Sequence, residues 1–410
     1  MSEMSRHYDE YRLEELGDLK NGLNFTNSEI KTPCKIIGVG DFGNNIFPPY
    51  DQLGYVDKNN VSEDFLLKEN DIIFVRSNGN KNLVGRTMMI KNIQEDVTFS
   101  GFCIRLRIDS KIVNPEYLFY ALRAPFCRKQ YSYSQQTNIT NLSQDVLSNV
   151  IVRLPSLQEQ EKIAMILLNI DKKIVNNHTI NDNLLNQAKD IFDYWFTQFD
   201  FPNELGTPYK SSGGKMRYEA AVSRNIPYNW EITTIGDITI CLDSKRIPLS
   251  SSEREKMHGN IPYYGATGIM DYVDKAIFDS DYVLLAEDGS VMNQEGKPIL
   301  QRISGPCWIN NHAHVLAPIE DYSCILLFML LKDIPVVQIK TGSIQMKINQ
   351  ENLNNYKIIQ IPDKLRREIN AILEPFDRKI LEIQRENDNL HHLRDWLLPL
   401  IMNGQATIDD

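Results

Sequence analysis

Apolar side chains recur in alternating steps of four and three along two long stretches of the chain. The first places Ile163, Leu167, Ile170, Ile174, Asn177, Asn181, Leu184, Ala188, Ile191 and Trp195 on one seam. The second places Ile369, Leu373, Phe376, Ile380, Ile383, Asn387, Leu390, Arg394, Leu397 and Ile401 on another. An alternation sustained over this length predicts two coiled-coil helices; an amphipathic helix on its own domain's core is the alternative. Each helix would run about 40 residues, or roughly 60 Å at ~1.5 Å per residue. Pro375 lies inside the second stretch, where it removes a backbone donor and crowds the preceding turn. A kink or a helix restart is expected there.

The two seams are copies of each other. NDNL occurs at 181–184 and again at 387–390, 206 residues apart. It extends backwards without a gap, as DKKIVNNHTINDNL at 171–184 against DRKILEIQRENDNL at 377–390. Asn181 and Asn387 hold the same seam position, which calls for a reason, because a buried unpaired amide costs about 1 to 3 kcal/mol. Antiparallel packing with its midpoint near Asn177 and Ile383 would bring 177–181 opposite 383–387. The asparagines are then expected to hydrogen-bond across the crossing and set its register.

Fainter correspondences lie upstream of each helix. LGDL at Leu16 resembles IGDI at Ile235, DIIFVRSNG at Asp71 resembles DYVLLAEDG at Asp281, and SNVIVRLP ending at Pro155 resembles NYKIIQIP ending at Pro362. Each block closes with a β-like run, a proline and a helix. The chain therefore reads as one unit written twice: a globular domain at 1–155, a spacer helix at 156–200, a second domain at 225–362 and a second helix at 363–410. Between them, PNELGTPYKSSGGK falls in a stretch at 201–224 that reads as an exposed linker. The expected fold class is α+β, with two similar mixed α/β domains separated by two long antiparallel coiled-coil helices in a pseudo-two-fold internal repeat.

Composition narrows the function. A chain of 410 residues, 42% hydrophobic and 24% charged, can bury more than one core. No apolar run approaches the ~20 residues that span a bilayer, and the start lacks the layout of a secretion signal, so cytoplasm is the expected compartment and no membrane is involved. The six cysteines are scattered without a C-x-x-C pair and read as ordinary, mostly buried thiols. The formal charge of −10 is shared: residues 1–155 carry 18 basic and 19 acidic side chains, and residues 201–362 carry 15 and 18. Neither is a basic domain, so strong unaided binding to nucleic acid is not implied, while assisted DNA binding stays open.

Short enzyme-like motifs fail on context. GVGDFG at 38–43 matches a dinucleotide loop, but Pro48 and Pro49 follow where a helix must open. FPPY at Phe47 and NPEY at Asn114 each lack one residue of the loop with which amino-methyltransferases hold a flipped base. Asp288, Glu295 and Lys297 have a metal-nuclease spacing, yet Gly296 and Pro298 place the last two in a loop. His312 and His314 alternate as on a strand, and His391 and His392 sit on a helix. No catalytic, cofactor or metal site is predicted.

FPNELGTPYKSSGGKM, the IPYNW before IGDI, IPYYGATG at Ile261 and the two helices, P-x7-I…D-K-K-I and P-x6-I…D-R-K-I, resemble the specificity subunit of type I restriction-modification enzymes, over nearly the whole chain. The resemblance implies two target-recognition domains, each reading one half of a bipartite, asymmetric double-stranded DNA target, and two helices whose length sets the spacing. It implies a non-catalytic chain that recruits two modification (methyltransferase) subunits, with S-adenosylmethionine, and restriction subunits, with ATP and Mg; no cofactor is expected in this chain. Polar, loop-like stretches are the candidate base readers: Arg76, Asn78, Lys81 and Asn82; Gln135, Gln136 and Asn138; Ser244, Lys245 and Arg246; Tyr263, Tyr264 and Thr267; Lys340, Ser343 and Gln345. The competing reading is a tandem ligand- or protein-binding protein on a coiled-coil stalk.

Overall fold

The computed structural model describes residues 8–25, 29–43, 45–79, 83–132, 141–319, 321–342 and 346–406. The chain divides into two compact units, Met1–Asn176 with Asn387–Asp410, and Asn177–Glu386.

In the first unit, strand Asp9–Arg12 pairs antiparallel with Ile151–Leu154. A four-stranded sheet runs in the order Gly17–Asn21, Cys103–Ile108, Ile72–Val75, Thr87–Met89. In a second sheet Pro33–Ile37 lies between Gly54–Asp57, antiparallel, and Val97–Phe99, parallel. Side chains alternate faces along a strand. Ile72 and Phe74 accordingly enter one core with Leu106 and Tyr120, while Ile73 and Val75 enter another with Ile37 and Phe99. Helix Pro115–Arg123 covers the first core; the Asn114 side chain caps it by accepting from Tyr117 N at 2.9 Å.

The second unit repeats this plan. Strand Ile232–Thr234 pairs antiparallel with Lys357–Ile359. Six strands follow in the order Thr239–Cys241, Ala313–Pro318, Phe278–Ala286, Leu300–Ile309, His258–Tyr264, Ile269–Val273. Strand Leu300–Ile309 does the work of two strands of the first unit. Residues Leu300 to Cys307 pair antiparallel with Phe278–Ala286, and the last two, Trp308 and Ile309, pair parallel with His258–Tyr264. Helix Cys324–Leu331, capped by Ser323, takes the place of Pro115–Arg123.

Hydrogen bonds align the copies and correct the alignment read from short motifs. Leu13 N donates to Val150 O and Asp109 N to Leu16 O; Ile235 N donates to Tyr356 O and Ile319 N to Ile238 O. Leu13 and Leu16 thus match Ile235 and Ile238, and the expected match of LGDL with IGDI is three residues out. Leu142 N donates to Arg76 O and Ile348 N to Glu287 O, both at 2.8 Å, so Arg76 matches Glu287 and the DIIFVRSNG block is one residue out. Arg12 faces Ile151 as Thr234 faces Lys357, so the two closing strands keep the 206-residue offset of the helices, one less than their prolines suggest. A slip of one residue turns every strand side chain to the wrong face, and the cores obey the hydrogen-bonded register.

The long helices are Leu157–Phe192, continued by a π-turn at Asp193–Thr197, and Asp363–Met402. The second runs through Pro375 without the expected restart, with Leu373 and Asp377 buried on either side. None of the predicted seam positions is exposed; Ile163, Leu167, Ile174, Ile369, Leu373, Ile380 and Asn387 are buried, and Ile170, Asn181, Leu184 and Leu390 half-buried. Each helix is shared between the units. In the first unit Leu398, Ile401 and Met402 share a core with Ile163, Ala164 and Leu167, and Arg394 Nη1 meets Asp171 Oδ1 at 2.8 Å. In the second, Ala188 and Phe192 share a core with Ile369 and Leu373. There Asn177 Nδ2 donates to Glu386 Oε2 at 2.7 Å, and Asn181 Nδ2 to Ile380 O at 3.4 Å. Partner numbers fall as residue numbers rise, so the helices pair antiparallel in both units, and Asn177 and Asn181 bond across them.

One carboxylate of the repeated motif ties each helix to its globular neighbour. Asp171 accepts from Tyr120 Oη at 2.6 Å and from Arg394. Asp377, 206 residues later, accepts from Arg302 Nη2 at 2.7 Å and Nε at 3.1 Å. Both carboxylates are buried, where an ion pair holds only with close hydrogen-bonded geometry.

The expected linker is not a loose one. Phe201 stacks between Tyr209, at 4.8 Å, and Trp230, at 5.0 Å between ring centroids. Ser211 donates to the Asp200 carboxylate through its amide at 2.7 Å and its hydroxyl at 2.6 Å. Residues 202–207 stay at the surface, but aromatic anchors hold the segment to the second core, which its Gly, Ser and Pro content does not reveal. Among the described residues no helix is long and apolar enough to cross a membrane.

Asn181 Oδ1 is buried without a partner. Asn181→Leu is therefore expected to raise the denaturant-unfolding free energy by roughly 1 kcal/mol. Asp377→Ala, which leaves the buried Arg302 guanidinium with only the Asp281 carboxylate at 3.3 Å and Ile303 O, is expected to lower it by about 3 kcal/mol. Opposite signs in denaturant titrations would contradict both assignments.

Candidate nucleic-acid interface

In each unit the loops beyond the strand ends converge on one cluster. In the first, Ser77 bridges Asn141. Arg76 N donates to Phe102 O at 2.8 Å, Gly101 N to Leu23 O at 2.7 Å, and Ser100 N to Ile37 O at 2.9 Å. Gly22 is required by this crowding: a Cβ there would lie 2.2 Å from Ser100 O. The Arg76 side chain is half-buried, with Nη1 3.4 Å from Gly101 O.

The second unit builds the same cluster from charged residues. Asp288 bridges Lys347, and Glu287 N donates to His312 O at 2.9 Å. Arg246 Nη1 binds Glu287 Oε2 at 2.6 Å and Ala313 O at 2.7 Å, and Lys347 Nζ binds Glu287 Oε1 at 2.8 Å. His314 is buried, with Nδ1 2.5 Å from Asp243 Oδ2 and Nε2 3.0 Å from Ile348 O. Burial pushes the Asp243 carboxyl up, but the hydrogen bond and charge of His314, with Arg246, hold it below the ordinary value. Glu287 is likewise pushed up by burial and held below its ordinary value by Lys347 and Arg246. Glu287 in turn raises the Lys347 ammonium.

By the hydrogen-bonded alignment, Asn21, Arg76, Ile104 and Asn141 of the first unit stand where Asp243, Glu287, His314 and Lys347 stand in the second. The backbone is repeated and the side chains are not. One arginine among neutral groups faces an ion network, with the sign reversed at Arg76 and Glu287.

The structure places the candidate readers differently. Ser244 and Lys245 are exposed on the turn Asp243–Lys245, and Thr267 is exposed on the turn before Ile269–Val273. Asn78 and Lys340 are half-buried, the latter opening strand Lys340–Thr341. Arg246 and Tyr263 are corrected to structural roles: Arg246 is held inward by Glu287 and Ala313, and Tyr263, 1% exposed on strand His258–Tyr264, accepts from Leu249 N at 3.1 Å. Tyr264 lies half-buried on that strand rather than in a loop. Lys81, Asn82, Gln135, Gln136, Asn138, Ser343 and Gln345 lie outside the described residues. Sequence reasoning missed Asp243, Glu287 and Lys347, whose partners lie far along the chain, so spacing carries no signal for them.

The enzyme-like motifs have structural employment. Asp41 accepts from Gly38 N at 2.7 Å in a short turn, so no helix opens after GVGDFG. Asn114 is a helix cap, and Lys297 pairs with Asp333 at 2.8 Å. Cys241, Asp243 and His314 bring possible ligand atoms within 4.8 Å of one another. Both His314 ring nitrogens already face oxygen acceptors, and burial, with Asp243, pushes the Cys241 thiol up to about 12, so the trio reads as a hydrogen-bonded group.

Two loop clusters of like construction and unlike chemistry, on one chain with paired long helices, define a protein with two separate recognition surfaces. The profile described as the type I restriction modification DNA specificity domain matches residues 6–186 and 227–391, and the chain belongs to that family. It is 25% identical over 319 residues to the type I restriction enzyme MjaIX specificity subunit of Methanocaldococcus jannaschii, covering 72% of this chain and 70% of the relative. It is 22% identical to the HindI specificity subunit of Haemophilus influenzae, covering 83% and 87%. The crystal structure of the S subunit from a type I restriction-modification system of M. genitalium shares the fold, with a TM-score of 0.52 and 18% identity over 98% of this chain and 97% of that one.

The depressed Asp243 and Glu287 carboxyls stabilise the second unit above the unfolded carboxylate range, and that stability is lost as pH falls through their lowered folded values. Between about pH 5 and about pH 3 the thermal midpoint of the unaltered chain is expected to fall more steeply than that of Glu287→Gln. Parallel curves in a pH series of melts would contradict the assignment.

Proposed function

We propose that each unit of this specificity subunit reads one half of a bipartite, asymmetric DNA target, and that the long helices carry the partner subunits. The observation that carries this reading is the repeated cluster with unrepeated side chains. Equal half-sites call for equal chemistry; Arg76 in one copy and Glu287 in the other suit unlike bases, since arginine pairs with guanine and a carboxylate accepts from cytosine. Arg246 and Lys347 occupy Glu287 here, so the second cluster's shape, as much as its charge, would set the reading. Exposed Ser244, Lys245 and Thr267 are the candidates nearest the base edges.

The acidic balance fits a shared task. With a net charge of −10, this chain supplies few phosphate contacts, and partner subunits would supply the rest. Two modification subunits would bring S-adenosylmethionine and the methylation site, and restriction subunits ATP and Mg. The chain itself is proposed as non-catalytic, because Gly38, Asn114 and Lys297 serve turns, caps and ion pairs.

Exchange of residues 225–355 for the matching unit of a relative, in the complex with its modification subunits, tests this. Mapping methylated adenines should show one half of the target changed and the other half kept. A change in both halves, or methylation by the purified chain alone, would sink the reading.

A further inference from the structure

We propose that Phe102 and His312 are base-contacting residues at one and the same place in the two units, an apolar contact in the first and a hydrogen-bonding ring in the second. The inference rests on the reading of the chain as a DNA-specificity subunit and goes beyond it by naming side chains.

Backbone geometry makes the two residues counterparts. Phe102 O accepts from Arg76 N at 2.8 Å, and His312 O accepts from Glu287 N at 2.9 Å. Each immediately precedes an equivalent strand, Cys103–Ile108 or Ala313–Pro318. Each sits in a turn held by the residue two before it: Phe102 N donates to Ser100 Oγ at 3.3 Å, and His312 N to Asn310 Oδ1 at 2.8 Å. The turn is thus the same device built twice, with a planar ring at its tip both times. The rings are exposed, 57% for Phe102 and 48% for the His312 side chain.

Single exposed apolar residues are common and need no explanation. Phe102 differs in its setting. Its carbonyl accepts from both Arg76 N, at 2.8 Å, and Ser77 N, at 3.3 Å, and Ser77 bridges Asn141 beside it. A phenyl ring there is suited to a thymine methyl group in the major groove. His312 is aimed by Asp288, whose Oδ1 lies 2.6 Å from Nδ1. In the tautomer whose Nδ1–H donates to the carboxylate, Nε2 is left as an acceptor, which suits the exocyclic amine of adenine or cytosine.

The test uses the assembled complex of this chain with its modification subunits, and reads the methylated sequences together with assembly and thermal midpoint. Phe102→Ala and His312→Ala are each expected to relax one base position in one half of the target, by about tenfold to a hundredfold in discrimination, with the other half unchanged. Phe102→Leu keeps an apolar tip and is expected to retain most of the discrimination, which also separates lost contact from lost folding. Unchanged stringency in assembled Phe102→Ala and His312→Ala complexes overturns the proposal. An unaltered complex that methylates without sequence preference overturns the specificity reading beneath it.

Discussion

Neither repeat can close its own core. Ile163, Ala164 and Leu167 pack with Leu398, Ile401 and Met402, which belong to the other copy of the sequence, and Ile369 and Leu373 pack with Ala188 and Phe192 in the same reciprocal way. Burying such side chains is worth about 1.5 to 3 kcal/mol each, so the exchange of helix ends is a large share of what makes either unit stable. Asp171 and Asp377 add direction to this apolar contact: a carboxylate buried against Tyr120 and Arg394, or against Arg302, tolerates little sliding or rotation of the helix that carries it.

That constraint leaves the loop clusters free to differ. The backbone hydrogen bonds that gather Arg76, Phe102 and Leu142 in one unit gather Glu287, His312 and Ile348 in the other, so the scaffold is indifferent to which side chains it presents. In the first cluster the central polar group is an arginine resting on a carbonyl. In the second, Glu287 is shared by Arg246 and Lys347 while Asp243 holds His314. A network of this kind stiffens the loops it joins and costs most when one member is removed.

The helices were legible in the sequence because their seams obey a rule written every three or four residues, and because NDNL marks the same point twice. The strands before them were not, because short apolar blocks match in several registers. LGDL drew attention to Leu16 when the hydrogen bonds align Leu13 with Ile235, and the glycines that end DIIFVRSNG and DYVLLAEDG are not counterparts. Strand register is decided by which face reaches the core, and that depends on partners far along the chain. The same distance hid the fate of Arg246, which looked like a free base reader until Glu287, 41 residues on, came into contact. Phe102 lies in an apolar run with Phe99, Cys103 and Ile104, so in the sequence it reads as one more strand residue until its turn is seen to recur.

The exchange of helix ends also orders events in time. The first globular part leaves the ribosome about 250 residues before Leu398, Ile401 and Met402, which complete its core. At ~5–20 residues per second that interval lasts on the order of ten to fifty seconds. Throughout it Ile163 and Leu167 lack the part of their cover that Leu398, Ile401 and Met402 supply, whereas the second unit finds its borrowed helix already made. The nascent chain therefore passes through a half-finished state with an apolar helix face only partly covered, and its last helix is the piece that ends the exposure.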